Sequence, residues 1–296
     1  MIKSIISYIL VFLFCLFFIV GLAGYYFESN LFNTDKYMAE IYSSEYDEIV
    51  LETVNKQLND LGDEITLDAD DIFPLLNKDS LKEHSHEYTK TFFSQFEKGE
   101  KFNNSLYPKY DISYIKNDLK QLVINFYQGN NTENSFSEEE FESIYNVIDA
   151  EINNALKFLP SSFINRLSSA TKYVATAKFA FKVMKIFLIP SILILAGIVL
   201  LTFKKGITAL ILRVGSAFFF PSALLFIPTV LFDNYNLGSK VAIMRSPLSV
   251  VFSTVLNCNV KGFETLTGIF FFISILFLIA GAVLTVLNIG KSRSDS

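Results

Sequence analysis

The sequence predicts an all-α membrane protein with four transmembrane helices and a helical extracytoplasmic domain inserted between spans 1 and 2. Three observations predict it: four long apolar runs, acidic charge confined to one block, and apolar residues spaced every three or four positions along that block. Residues 28–172 hold 27 acidic and 13 basic side chains, a net of −14, whereas the rest hold 3 acidic and 12 basic, a net of +9. A block of this size can bury its own core.

Residues 1–27 are predicted to form transmembrane helix 1. The apolar run over 4–27 is longer than the core of a usual signal peptide. A cleaved signal peptide is the alternative, with residues 21–24, Gly-Leu-Ala-Gly, as its small-residue cleavage region. We favour a retained helix, because three later spans need a helical partner in the bilayer.

Residues 28–175 are predicted to form the acidic helical domain. Ser137 followed by Glu140 is a capping box, which marks the start of one helix. We find no sustained two-residue alternation, so a β-domain is not expected. The predicted helices are residues 35–61, ended by Gly62, then 79–97, 111–128 ended by Gly129, and 137–160.

The rest of the chain is predicted to return to the membrane. The basic, acid-free stretch 161–185 either lies on lipid headgroups or is a solvated helix extension. Residues 241–256, interrupted by Arg245 and Pro247, are expected to form an interfacial or re-entrant segment. The predicted segments are 176–205, the basic lead-in and transmembrane helix 2; 206–232, helix 3; 233–265, an extracytoplasmic interfacial loop; and 266–296, helix 4 with a short cytoplasmic tail.

The distribution of lysine and arginine predicts the orientation. Long loops count little towards orientation, so the short basic segments mark the cytoplasmic side. We therefore expect both termini in the cytoplasm and the acidic domain outside the plasma membrane, although the lysines before span 2 oppose this. The cysteine-free domain favours a bacterial protein. The basic residues of the short segments are Lys3, Lys204, Lys205, Arg213, Lys291 and Arg293.

Three prolines within the apolar runs, Pro190, Pro221 and Pro228, are possible structural kinks. Each proline lacks the N–H that would bond the carbonyl four residues earlier. Two of them, Pro190 and Pro228, are expected at one depth near the outer surface, where they could shape a vestibule. The alternative is a set of tolerated kinks whose freed carbonyls are satisfied by the hydroxyl-bearing residues Ser191, Ser222 and Thr229.

The sequence assigns no catalytic, cofactor-binding or metal-binding residue. The weak polar candidates on the outer face are Asp233, Glu264 and His84. A spacing of two residues places His84 and His86 on different sides of a helix, which disfavours zinc. The acidic stretch 60–71 lacks the calcium-loop pattern, and Asp68 or Asp70 as a helix N-cap explains it more simply.

The function expected from the sequence is a non-enzymatic envelope protein whose outer domain binds a protein or a cell-wall component. An oligomeric channel or transporter subunit is the first alternative, and an outer-leaflet membrane enzyme is the second. The expected partners are the lipid bilayer and either an envelope protein or further copies of the chain. No cofactor is expected, and the acidic outer domain excludes nucleic acid. We recognise no family in the sequence.

Overall fold

The computed structural model describes residues 2–42, 45–65, 67–99, 102–129, 137–159, 163–164, 167, 171–235 and 246–294. It is 89% helix, with no strand in the described residues. Two compact units are present: a membrane unit of residues 1–33, 175–240 and 256–296, and a helical domain of residues 34–174 and 241–255. The α-helices are α1 Ile2–Asn30, α2 Thr34–Tyr42, α3 Tyr46–Ile65, α4 Ala69–Ile72, α5 Lys78–Lys98, α6 Lys116–Gly129, α7 Glu138–Ala155, α8 Thr171–Ile186, α9 Leu188–Phe203, α10 Ile207–Asn234 and α11 Pro247–Ser294.

Four helical stretches among the described residues are long and apolar enough to cross a membrane, which indicates a multi-pass membrane protein. They are 5–30, 173–203, 207–234 and 247–287. Within the membrane unit, α1 packs against α9 and α10. The aromatic rings of α1, α10 and α11 interlock in edge-to-face and stacked pairs. The buried residues of this core are Phe14, Phe18, Leu22, Ile198 and Ala217.

Glycines allow the helices of the membrane unit to approach closely. A Cβ on Gly24 would lie 2.4 Å from the backbone nitrogen of Lys185, and one on Gly21 would lie 2.8 Å from that of Leu188. In the α10–α11 pair, a Cβ on Gly281 would lie 2.6 Å from the Leu212 side chain. Such contacts between small residues replace hydrophobic burial as the means of helix association in lipid.

The second candidate span is divided at Phe187, between α8 and α9. Pro190 follows in the first turn of α9, and its missing N–H cannot bond the carbonyl of Ile186. Pro221 and Pro228, in contrast, lie inside an uninterrupted α10. The predicted kinks at these two prolines stay predictions.

The neighbouring hydroxyls do not bond the carbonyls that the prolines free. Pro221 frees the carbonyl of residue 217, but Ser222 Oγ donates to the carbonyls of Phe218 and Phe219. Ser191 donates to Phe187, at 2.8 Å, rather than to Ile186. The expected repair by Ser191 and Ser222 is therefore wrong in its detail, since each hydroxyl supports the next carbonyl along the helix.

The predicted loop 233–265 is largely helical. Helix α11 begins at Pro247 and continues for 48 residues into the last span. Proline is favoured in the first turn of a helix, where its missing N–H costs nothing. Ser246 and Ser249 each accept the other's backbone N–H, at 3.3 and 3.2 Å, and so cap this end. Pro247 therefore starts a helix rather than interrupting one; residues 241–245 lie outside the described residues.

The helical domain contains α2 to α7, and one predicted helix in it is wrong. Residues 35–61 form two helices, α2 and α3, because the chain turns at Glu45. The expected stop, Gly62, lies inside α3, where a Cβ would come within 2.8 Å of the Leu67 carbonyl oxygen. The glycine is therefore required by a close contact and not by helix termination.

Several other helix ends of the domain follow capping residues. The Asn77 side chain accepts two backbone N–H groups at the start of α5, and Gly99 ends it with φ 67°. The capping box at Ser137 and Glu140 opens α7 as predicted. Asp68 caps α4 by accepting the Asp70 N–H at 3.0 Å. These short-range signals were readable from the sequence because each bond lies within four residues.

Candidate functional site

A cavity of about 420 Å³ in the helical domain lies between α5, α7 and the segment that precedes α6. It combines aromatic rings, two lysines, a carboxylate and two amides. Convergence of a few polar groups on an aromatic wall is typical of ligand sites. The lining residues are Tyr88, Tyr107, Pro108, Lys109, Asp149, Ala150, Asn153, Asn154 and Lys157.

The segment 102–110 that forms one side of the cavity is held by side chains of the flanking helices. The buried Asn153 amide accepts the Tyr110 N–H at 2.8 Å and donates to the Tyr110 carbonyl at 3.1 Å. Gln95 accepts the Asn103 N–H at 2.7 Å. Buried side-chain bonds of this kind to both backbone groups of one residue fix the position of an irregular segment.

The aromatic wall of the cavity consists of Tyr88 and Tyr107, whose ring centroids lie 4.5 Å apart. Tyr88 donates its hydroxyl to the Leu159 carbonyl at 3.1 Å. Burial raises the pKa of both phenols well above the usual value, so both stay protonated at neutral pH. The Tyr107 hydroxyl is buried and has no hydrogen-bond partner in the described part of the chain.

The charges around the cavity do not cancel. Lys109 pairs with Asp149 at 2.7 Å, and the hydrogen bond that the Lys109 amine donates to this carboxylate raises the pKa of the amine. Lys157 pairs with no carboxylate among the described residues and donates only to Asn154 Oδ1 at 3.2 Å. Partial burial lowers the pKa of the Lys157 amine because it removes water from the cation. The cavity thus carries one uncompensated positive charge inside a strongly acidic domain.

His84, a predicted candidate, lies half-buried beside this segment rather than at a reactive position. Its ring packs edge-on against Tyr110, with centroids 5.4 Å apart, and it hydrogen-bonds the backbone of Pro108, which offers only a carbonyl. Burial lowers the pKa of His84, with the neighbouring Glu87 acting in the opposite direction. His86 bonds Asp47 at 2.6 Å instead. The two histidines therefore have separate partners.

The other two predicted candidates lie in the membrane unit. Asp233 is exposed in the last turn of α10, and Glu264 is half-buried on α11. Neither carboxylate forms an ion pair with a described residue, and no described contact joins the two. Their role in an outer-leaflet enzyme stays a prediction.

A larger cavity of about 770 Å³ lies near α4 and is acidic. Asp68 and Asp71 line it, but Asp68 already caps α4. Phe126 also lines this cavity and is 37% exposed. No group of three His, Cys, Asp or Glu side chains suited to a metal ion occurs in the described residues.

No protein-family model, curated protein or solved structure matches this chain. Sequence reasoning missed the cavity around Lys157, although a signal was present. Residues 107–110 read Tyr-Pro-Lys-Tyr, an aromatic and basic cluster within an acidic block. Its partners on α5 and α7 could not be identified, because they lie about 20 and 40 residues away along the chain.

Proposed function

We propose that this chain is a multi-pass protein of the bacterial cell membrane whose helical domain lies outside and binds an acidic component of the cell wall, without catalysing a reaction. Both termini would then be cytoplasmic. The basic short segments Lys204–Lys205 and Lys291–Arg293 support this orientation. The outer bundle would act as a receptor held at the membrane by four helices.

The observation that carries the proposal is the reversal of charge at the Lys157 cavity. Residues 28–172 have a net charge of −14, and such a surface repels polyanions in general. A cavity with an unpaired lysine in that surface selects a ligand that presents one acidic group at a defined point. The partly dehydrated Lys157 amine would donate a charge-assisted hydrogen bond to a carboxylate or phosphate.

The aromatic wall supports a wall glycan rather than an inorganic anion. The half-buried ring of Tyr107 lines the cavity together with Lys157. A sugar ring would pack against Tyr107, and Asn154 and Asp149, which line the same cavity, carry groups that bond hydroxyls. A carboxylate-bearing glycan satisfies both the ring surface and the cation.

The membrane unit favours binding over conduction. Several of its buried hydroxyl side chains bond carbonyls of their own helices, as Thr202 does with Ile198 at 2.6 Å and Thr267 with Phe263 at 2.9 Å, whereas the Ser7 hydroxyl has no partner among the described residues. Such hydroxyls are already satisfied and contribute little to a polar path. An oligomeric channel or transporter subunit is therefore our second hypothesis.

The test compares binding of the purified full chain to insoluble cell-wall polymer by co-sedimentation. Lys157→Gln should weaken binding on the order of tenfold, the loss expected for one charge-assisted hydrogen bond. Lys90→Gln is the matched control, because it removes the same charge from an exposed position on α5 outside the cavity.

The proposal fails if the wild type does not sediment with wall polymer, or if the two variants bind equally. Crosslinking in intact cells tests the alternative that the helical domain binds a protein and not the cell wall. A protein captured by the wild type and lost in Lys157→Gln would identify a protein partner in place of the wall.

A further inference from the structure

A groove of about 470 Å³ runs along α10 and α11 within the membrane unit. Its walls are apolar except at one end, where Glu264 and Thr265 lie. The two helices are antiparallel, since Gly281 meets Leu212 while Gly268 meets Phe226. The apolar lining consists of Phe226, Gly268, Ile269, Phe272 and Ile273.

The groove opens outward from the helix pair rather than into its core. The side chains of Ile269, Phe272 and Ile273 are 53%, 58% and 45% exposed. In water such a surface would be unfavourable, but on a transmembrane helix it faces hydrocarbon. The surroundings of the groove are therefore lipid chains.

Glu264 lies where the apolar run begins. It is the last charged residue before Lys291, so the residues between them can cross the hydrocarbon core without a charge. Gly268 and Phe272 follow it at intervals of four residues, one helical turn each, into the bilayer. The carboxylate is thus placed at headgroup level and the groove beneath it at acyl-chain level.

Lys261, an exposed residue one turn before Glu264, completes a zwitterionic arrangement. Lysine and glutamate three residues apart lie on one side of a helix, yet neither forms an ion pair with a described residue. Both charges are therefore available to a ligand that carries a phosphate and an ammonium group.

We propose that this groove binds a phospholipid with a primary-amine headgroup, its acyl chain along Phe226 and Phe272, its ammonium group on Glu264 and its phosphate near Lys261. A primary ammonium donates three hydrogen bonds to carboxylates, whereas a quaternary ammonium donates none. Charge complementarity thus favours phosphatidylethanolamine over phosphatidylcholine, and over anionic lipids that Glu264 repels.

The test is native mass spectrometry of the full chain purified from equimolar phosphatidylethanolamine, phosphatidylcholine and phosphatidylglycerol with identical acyl chains. We expect the wild type to retain phosphatidylethanolamine on the order of threefold over phosphatidylcholine, the size of one partly solvated charge pair. Glu264→Gln should abolish this preference. The matched control, Asp233→Asn, removes an exposed carboxylate outside the groove and should keep it.

A second variant tests the acyl-chain part of the groove. Ile269→Trp adds bulk at an exposed lining position and should lower the retained lipid of all three types while leaving the headgroup ratio unchanged. Equal retention of the three lipids by the wild type, an unchanged preference in Glu264→Gln, or a lipid-free dimer covering the groove would overturn the proposal. None of these outcomes depends on binding of wall polymer by the helical domain.

Discussion

The two units of this protein both contain buried hydroxyl-bearing residues, but the helical domain also uses some of them to join different helices through side-chain bonds. In the membrane unit, hydroxyls such as those of Ser222 and Thr285 bond a carbonyl three or four residues earlier in the same helix. In the helical domain, Tyr46 reaches across to Ser85 and Thr89 on α5, at 2.9 Å each. In hydrocarbon, a polar side chain has no water to bond, and a carbonyl of its own helix is the nearest acceptor. In the core of the helical domain, hydrogen bonds between helices can instead fix how the helices align.

The two units also differ in how closely their helices approach one another. Close approach in the membrane unit depends on glycine, as at Gly24, because there is no hydrophobic force between helices in lipid. Both units also bury large side chains, among them Phe14 and Phe18 in the membrane unit and Tyr37, Tyr46 and Phe141 in the helical domain. Tyr26 is an exception among the hydroxyls of the membrane unit. Its hydroxyl on α1 donates to the backbone carbonyl of Asn259 on another helix, α11, at 2.8 Å.

The largest loss of stability is expected from a bulky side chain at the contact between Gly24 and Lys185. Gly24→Ile places a branched side chain where a Cβ alone would lie 2.4 Å from backbone, and we expect a destabilisation of about 3 kcal/mol or more. Gly197→Ile is the control, because the nearest atom to its Cβ is 3.8 Å away. Thermal melting of the detergent-solubilised chain measures both. Equal melting temperatures for the two variants would contradict the glycine contact.

A smaller effect is expected from removing one hydroxyl in each unit. Tyr46→Phe loses two bonds between helices and should cost about 1 kcal/mol. Ser222→Ala, equally buried, should cost less, because its carbonyl acceptors belong to its own helix. The same melting assay compares them. If Ser222→Ala were the more damaging variant, the contrast between the units would be wrong.

The smallest effect is a pH dependence from His84. Burial lowers its pKa in the folded state, so the unfolded chain binds a proton more readily than the folded chain. Stability should therefore fall as the pH drops from about 6.5, the usual histidine pKa, towards the lower folded value.

The measurement is the melting temperature between pH 7.5 and 5 for the wild type and for His84→Gln. Subtracting the melting temperatures of His84→Gln from those of the wild type removes the contribution of the carboxylates, which both proteins share. His86, which bonds Asp47, remains in both proteins and also cancels. A difference curve that is flat, or that rises as the pH falls, would show that His84 is not held in its neutral form.

The sequence alone determined the helical class, the four candidate spans and some of the helix ends. Apolar length and three-to-four-residue spacing are local properties, and so are caps such as Ser137 with Glu140. Predictions from local sequence were wrong where one residue type can have two structural roles. Pro247 looked like an interruption but begins a helix, and Gly62 looked like a stop but lies inside α3 and makes a close contact with Leu67, just beyond the end of that helix.

Only the tertiary structure decided which distant residues meet. The Lys157 cavity joins α5, the segment before α6, and α7, and the Glu264 groove joins α10 with α11. The sequence suggested Glu264 as a polar candidate but gave no reason to place Phe226 beside it. The physical reason is that side-chain periodicity reports which face of a helix is buried, while the partner of that face depends on packing between segments far apart in the chain.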